Sequence, residues 1–211
     1  MAVAFGSLAA SPIHHIMREL MPMTDFFLEM HDHPEQMLGL ARSMEPWFEQ
    51  MLAALTESTA EVIFMGANYD DTITYPPFFE EHFLPWLARA AEMAHEKGKL
   101  LLTHTDGENQ NLMALYRRCS FDIADSICPA PMTKLTLAEA IAGLPGVTIW
   151  GGIPSVAVCD SSMGEAEFGR IVAEAIDLAR GSSHLILSIA DTTPATANFQ
   201  RLLQITELVS R

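Results

Sequence analysis

His104 and Asp106 are the residues of this sequence whose types and spacing most clearly allow chemistry. They stand two positions apart at the end of the segment KLLLTHT (99–105), whose apolar centre is typical of a β-strand. Side chains alternate along a strand, so both groups are expected on the same face. An imidazole nitrogen beside a carboxylate forms half of a metal site. The pattern also allows a simpler interpretation, in which Asp106 caps the next helix and His104 is a hydrogen-bonded core residue.

Other polar residues also follow predicted strands. The segment after the first of these strands carries Asn68 and Tyr69 as candidate substrate-binding residues, and Asp70 and Asp71 as candidate acid–base residues. Further candidate substrate contacts follow the later strands, at Glu108, Asn109, Ser126, Gly151 and Gly152. In parallel α/β folds, ligands bind at the carboxyl ends of the strands. Each prediction has an alternative without a functional role. The residues around Asp70 can form a solvated turn, and the two glycines can allow neighbouring backbone to pack closely at the end of a strand.

The elements that must position these residues alternate along the chain. Short apolar runs predict strands at 61–66, 99–105, 121–127, 147–152 and 184–190. Amphipathic segments predict helices at 76–98, 109–118, 135–143, 164–181 and 197–211. Strict alternation of buried strands and helices predicts an α/β fold, either a doubly wound sheet or a (β/α)₈ barrel. Residues 1–60 are predicted to be helical, with Pro46 kinking or dividing the long helix.

Composition limits the kinds of partner. The 211 residues are 49% hydrophobic, which is enough to form a buried core. We predict one domain spanning 1–211, with a helical segment at 1–60 and β–α units at 61–211. The formal net charge of -15 disfavours nucleic acid and an anionic membrane surface, and it favours a small-molecule substrate. Three cysteines without a CxxC pair, and no signal peptide or apolar membrane span, predict a reduced, cytoplasmic location. Cys128 is expected to be a structural thiol.

Four segments carry a resemblance to a known family. They are GANYDDTITYPPFFEEHFLPWL (66–87), HEKGKLLLTHTDGEN (95–109), TIWGGIPS (148–155) and LILSIADTTP (185–194). In order and spacing they resemble the uroporphyrinogen decarboxylase superfamily, which includes the true decarboxylases and the zinc-dependent methyltransferases of corrinoid and coenzyme M metabolism. The resemblance implies part of a (β/α)₈ barrel. It covers only the C-terminal part of the family fold, about five of its eight β–α units.

The resemblance also implies a ligand set. The zinc methyltransferases use a histidine, a cysteine two residues later and a distant cysteine near the last strand. The corresponding positions here are His104, Asp106 and Asp191, so carboxylates stand where the family has thiolates. One nitrogen and two oxygen ligands suit Zn²⁺, and also Mn²⁺ or Fe²⁺. A divalent metal, with zinc as the first choice, and a corrinoid carried on a partner protein are the implied cofactors.

The function implied is metal-assisted methyl transfer between a corrinoid and a small O- or S-methyl substrate, and the harder ligands favour oxygen. An alternative is decarboxylation of a tetrapyrrole, with Asp70, Asp71 or Asp191 facing the pyrrole N–H groups. The acidic charge and the lack of the family's arginine-bearing segment disfavour it. A third alternative is an incomplete, non-catalytic barrel fragment. Five units cannot close an eight-stranded barrel, so a homodimer or a complementing chain is expected.

Overall fold

The computed structural model describes the backbone of residues 3–210 and the side chains of residues 8–210. The chain forms two compact units, each built from several stretches of sequence. The first unit comprises Met1–Ala67, Thr74–Thr103 and Ala114–Asp122. The second comprises Asn68–Ile73, His104–Met113 and Ile123–Arg211.

The first unit contains three parallel strands, which pair in the order β1 (Val3–Leu8), β2 (Val62–Met65) and β3 (Leu100–His104). Its helices are α1 (Pro12–His15), α2 (Met23–Asp32), α3 (Pro34–Glu57), α4 (Pro76–His82), α5 (Leu84–Glu96) and α6 (Met113–Cys119), with a π-helical turn at Ile16–Leu20. The last residue of β3 and the first of α6 belong to the second unit. Fully buried aromatic rings fill its core, at Phe26, Phe48, Phe79, Phe83 and Tyr116.

The second unit contains the other three strands, which are also parallel and pair in the order β4 (Ile123–Ile127), β5 (Thr148–Ile153) and β6 (Leu185–Ile189). Its helices are α7 (Leu137–Gly143), α8 (Glu165–Arg180) and α9 (Phe199–Val209), with a 3₁₀ turn at Ser155–Val158. Each strand from β2 to β6 is followed by at least one helix. The predicted α/β class is therefore confirmed, with the five β–α units expected for part of a (β/α)₈ barrel.

Three local predictions were wrong. Residues 1–60 are not all helical, because β1 precedes the helices and pairs with a strand far along the chain, which local periodicity does not reveal. The helix predicted at 76–98 is two helices that meet at Phe83, where Pro85 lacks the N–H that a continuous helix needs. Strand β6 is not buried on both faces, since Ile186 is 45% exposed. Pro46 lies inside α3 without dividing it.

None of the helices within residues 3–210 is both long enough and apolar enough to span a bilayer.

A buried arginine fastens α9 inside the second unit. Arg201 is 2% exposed, and its Nη1 and Nη2 donate to the backbone carbonyls of Ala157 and Met163, each at 2.8 Å. Its Nη2 and Nε also contact Glu165 Oε1 at 2.6 and 3.0 Å, and Nε lies 3.2 Å from Asp160 Oδ1. The guanidinium therefore has a polar partner on every nitrogen, as a buried charge requires.

We expect Arg201→Ala to lower the free energy of unfolding by about 3 kcal/mol, because it leaves two carbonyls without their donor. Arg170→Ala is the control, since Arg170 is exposed and pairs with Glu174 one turn away, and it should change stability by less than about 0.5 kcal/mol. Urea denaturation followed by circular dichroism measures both. Equal effects of the two substitutions would contradict the anchoring role.

Candidate functional site

The second unit brings His104, Asp106 and Asp191 together. One ligand atom from each residue lies within 4.8 Å of those of the other two. His104 is the last residue of β3, Asp106 lies in the following loop, and Asp191 follows β6. The loop, rather than strand alternation, therefore places Asp106 beside the imidazole. The cluster is open to solvent on one side, since Asp191 is exposed while the other two residues are half-buried.

A hydrogen bond to Asp125 fixes the imidazole of His104. The Nδ1 of His104 lies 2.8 Å from Oδ2 of Asp125, which lies within β4. Burial lowers the pKa of His104, but the hydrogen bond and charge of Asp125, with the charges of Asp106 and Asp191, outweigh it and raise the pKa. With Nδ1 engaged, Nε2 is the nitrogen that can serve a ligand.

Donors surround the carboxylate of Asp106. Its Oδ1 accepts hydrogen bonds from the Gly107 N–H at 2.6 Å and from the Cys128 thiol at 3.2 Å, and its Oδ2 accepts one from Asn68 Nδ2 at 3.3 Å. Burial, followed by the charge of Asp106, raises the pKa of Cys128, so this thiol keeps its proton and donates. Asp106 does not cap the next helix, because α6 begins only at Met113.

Ser126, which lies in β4, supports the third member of the cluster. Its side chain is buried, and its Oγ accepts a hydrogen bond from the backbone N–H of Asp191. Asp191 adopts a left-handed backbone conformation with φ 58°, and its Oδ1 accepts a hydrogen bond from Thr192 Oγ1 at 3.2 Å. Ser126, which the sequence suggested as a substrate contact, therefore holds the turn that carries Asp191.

The two aspartates predicted as acid–base residues bond to nearby backbone. Asp70 accepts hydrogen bonds from the N–H and hydroxyl of Thr72, and from the Glu108 N–H at 3.2 Å. Although burial raises the pKa of Asp70, these hydrogen bonds outweigh it and lower the pKa. Asp71 is buried and accepts a hydrogen bond from the Asn111 N–H at 3.0 Å. These contacts tie segment 68–73 to the loop that carries Asp106.

The remaining candidates after the first two predicted strands lie in the same loops. Asn109 is buried and donates from Nδ2 to the carbonyls of Thr105 and Gly107 at 2.6 and 2.7 Å. Glu108 accepts hydrogen bonds from the backbone N–H groups of Gln110 and Lys134 at 3.2 and 2.8 Å. Tyr69 is completely buried.

Gly151 and Gly152 allow close packing within β5. Both have positive φ angles, 145° and 99°. A Cβ atom at Gly151 would lie 2.9 Å from the carbonyl oxygen of Ile127, and one at Gly152 would lie 3.1 Å from Leu137 Cδ2. Close approach of neighbouring groups, the alternative considered for these glycines, accounts for both of them.

Two residues near the cluster were not among the predicted site residues. Asp125 orients His104, and Cys128 donates to Asp106. A charged residue inside the apolar strand 123–127 is the signal that could have identified Asp125, since a carboxylate is rarely buried without a partner. Nothing in the sequence around Cys128 indicates its contact with Asp106.

The comparisons with known proteins bear on the fold. Among solved structures, the chain is similar to a methyltransferase from Methanosarcina mazei, with a TM-score of 0.64 and 16% sequence identity. The match covers 95% of this chain but 57% of that one, so the chain spans little more than half the length of its neighbour. No family model and no curated protein matches the chain. The likeness supports the barrel-type fold, and membership of the superfamily stays a prediction.

Gly107 allows the two loops of the site to approach each other. Its φ is +96°, and a Cβ atom would lie 2.6 Å from the carbonyl oxygen of Tyr69. We expect Gly107→Ala to destabilise the protein by about 1–3 kcal/mol through backbone strain and contact. Amide hydrogen exchange should become faster at Asp71 and Asn111, whose N–H groups bond across these loops.

The matched control is Gly169→Ala in α8, where a Cβ atom meets nothing within 4 Å. That substitution should stabilise the protein by about 0.5–1 kcal/mol, because alanine favours the helix. Unchanged exchange at Asp71 and Asn111 in Gly107→Ala would show that the loops do not depend on this glycine.

Proposed function

We propose that the chain is an enzyme of the methyltransferase type, in which a divalent cation assists transfer of a methyl group between a small methylated substrate and a corrinoid. The cation would be held by His104, Asp106 and Asp191, and the corrinoid would be carried by a partner protein. The observation that supports this function is the convergence of the three ligand atoms to within 4.8 Å of one another. The similarity in fold to a methyltransferase agrees with it.

The donor set fits a divalent cation. One imidazole nitrogen and two carboxylate oxygens suit Zn²⁺, our first choice, and also Mn²⁺ or Fe²⁺. The hydrogen bond from His104 to Asp125 has the form found behind many metal-bound histidines, in which a carboxylate fixes the ring and increases its basicity. When bound, the cation would act as a Lewis acid toward the heteroatom of the substrate.

The protein's own side chains would do the positioning. Asp125 holds the imidazole of His104 in one orientation, while Asn68 and Cys128 hold the carboxylate of Asp106. The exposure of Asp191 leaves a path for a substrate from solvent. Ligands held in this way need little rearrangement on binding, which favours catalysis by pre-organised charge.

Carboxylate ligands favour an oxygen substrate, such as a methyl ether or a methyl alcohol, over a thiol. The carbon–oxygen bond of the substrate would break while the reduced corrinoid provides the electron pair for the new carbon–cobalt bond. The released oxygen would then take up a proton. The same steps in reverse would methylate an oxygen acceptor.

A complete barrel would need further strands. Because the match covers 57% of the structural neighbour, we propose that the active assembly includes further β–α units, supplied by a longer form of this chain, by a second copy or by a complementing chain. Activity assays should therefore accompany a measurement of native mass.

We expect the purified chain to bind about one Zn²⁺ per monomer, measured by plasma mass spectrometry and calorimetry. His104→Ala and Asp191→Asn should each remove stoichiometric binding, because each takes away a ligand. Asp125→Asn should weaken binding roughly 10- to 100-fold, because it removes the negative charge behind the imidazole without removing the ligand itself.

His184→Ala is the matched control, since this exposed histidine lies just before β6, at the other end of the strand from Asp191. It should bind Zn²⁺ like the unmodified chain. Equal metal content in the His104→Ala and His184→Ala proteins would reject the site.

The reaction is tested separately. Reduced corrinoid, a panel of methyl ethers and the Zn²⁺-loaded chain should produce the methylated corrinoid, followed by its absorbance, and His104→Ala should not. Decarboxylation of uroporphyrinogen by the same preparation, without methyl transfer, would replace this function with the decarboxylase alternative.

A further inference from the structure

A cavity of about 170 Å³ lies in the first unit near the carboxyl ends of β1 and β2, and the proposed reaction does not use it. Its walls combine two kinds of side chain. The apolar ones are Leu8, Ala9 and Phe64, and the charged or titratable ones are His14, His15, Arg18 and Glu19. The backbone of Gly66 and Ala67 completes the lining.

Arg18 provides a cation that the fold holds in place. Its Nη1 donates to the carbonyl of Ala67 at 3.3 Å, and its Nε lies 4.0 Å from Glu19 Oε1. The side chain is 33% exposed, so it is partly withdrawn from water while still accessible. A guanidinium carries five N–H groups in a planar fork, which matches the geometry of a carboxylate.

His14 lines the cavity with a polar imidazole that carries no charge. Its Nδ1 accepts a hydrogen bond from the backbone N–H of Ala10 at 3.1 Å, so in the neutral ring Nε2 carries the hydrogen. Burial, followed by the charges of Arg18 and His15, lowers the pKa of His14 to about 3. The cavity therefore has one fixed cation, Arg18, beside a neutral imidazole.

The composition of the cavity indicates its ligand. In a chain with 27 acidic and 12 basic residues, an arginine whose side chain is 33% exposed beside apolar walls favours an anion with an apolar portion. A cavity of roughly 150 Å³ accommodates a molecule as large as benzene, so this one has room for about six non-hydrogen atoms. Glu19, which is largely exposed, opposes an anion and restricts it to the Nη side of Arg18.

We infer that this cavity binds a small aliphatic carboxylate, whose anionic group pairs with Arg18 and whose alkyl portion packs on Leu8 and Phe64. Its lining residues all belong to the first unit, whereas His104, Asp106 and Asp191 belong to the second.

The test is calorimetric titration of the full chain with isobutyrate, with isobutyramide as a neutral probe of the same shape and with inorganic phosphate. Isobutyrate should bind at least roughly tenfold more tightly than either of the others, because the amide lacks the charge that pairs with Arg18 and phosphate lacks the alkyl group that packs on Leu8 and Phe64. Binding should be unchanged in the His104→Ala protein, which separates this cavity from a carboxylate bound at the proposed metal.

Two neighbouring substitutions should act in opposite directions. Arg18→Gln should weaken isobutyrate binding roughly tenfold or more, while Glu19→Gln should strengthen it roughly two- to fivefold by removing a like charge. Arg18→Lys, which keeps the charge but loses the fork, should bind with intermediate affinity. Arg89→Gln is the control for a lost surface cation and should have no effect, since Arg89 pairs with Glu49 and Glu92 and does not line the cavity.

Circular dichroism will show whether each variant is folded. If Arg18→Gln does not fold, Glu19→Gln still tests the site. Three results with the unmodified chain would overturn the inference: no binding of isobutyrate, equal affinity for isobutyrate and isobutyramide, or tighter binding of phosphate. Equal affinity for isobutyrate in folded Arg18→Gln and Arg89→Gln proteins would overturn it as well.

Discussion

Close approach of like charges is the constraint that governs the candidate site. Asp106 and Asp191 offer oxygens to a cluster less than 5 Å across, and ionised carboxylates at that range repel unless positive charge lies between them. The protein offsets the repulsion in part by raising the pKa of His104 and by surrounding Asp106 with N–H and S–H donors. A divalent cation would offset it more completely, which is why we propose a metal there rather than a neutral ligand.

The parts of the fold that the sequence predicts correctly are those with a strong local pattern. The five apolar runs from 61 onward all form strands, as short apolar runs between amphipathic helices predict, although β6 is partly exposed. The helix at Glu165–Arg180 also forms as predicted, since its apolar residues recur at helical spacing. His104 and Asp106 could be selected as a pair because they lie at the end of one of these strands, where α/β folds place ligands.

Pairing between distant segments could not be predicted in the same way. Strand β1 is specified by its hydrogen bonds to β2 rather than by its own periodicity. The bonds from Asp70 and Asp71 to the loop after β3 join residues nearly forty positions apart, and they leave no repeating pattern in the sequence. The contact between Cys128 and Asp106 has the same character, because it depends on how two loops meet rather than on either loop alone.

The two sides of the Arg201 contact differ in a way that matters in concentrated salt. Asp160 and Glu165 are more than half exposed, so dissolved ions will weaken their attraction to the guanidinium. The carbonyls of Ala157 and Met163 accept hydrogen bonds in the protein interior, where ions do not penetrate. The guanidinium of Arg201 thus holds α9 through ion pairs that weaken with ionic strength and through carbonyl hydrogen bonds that do not. We therefore expect α9 to stay packed at high salt concentration.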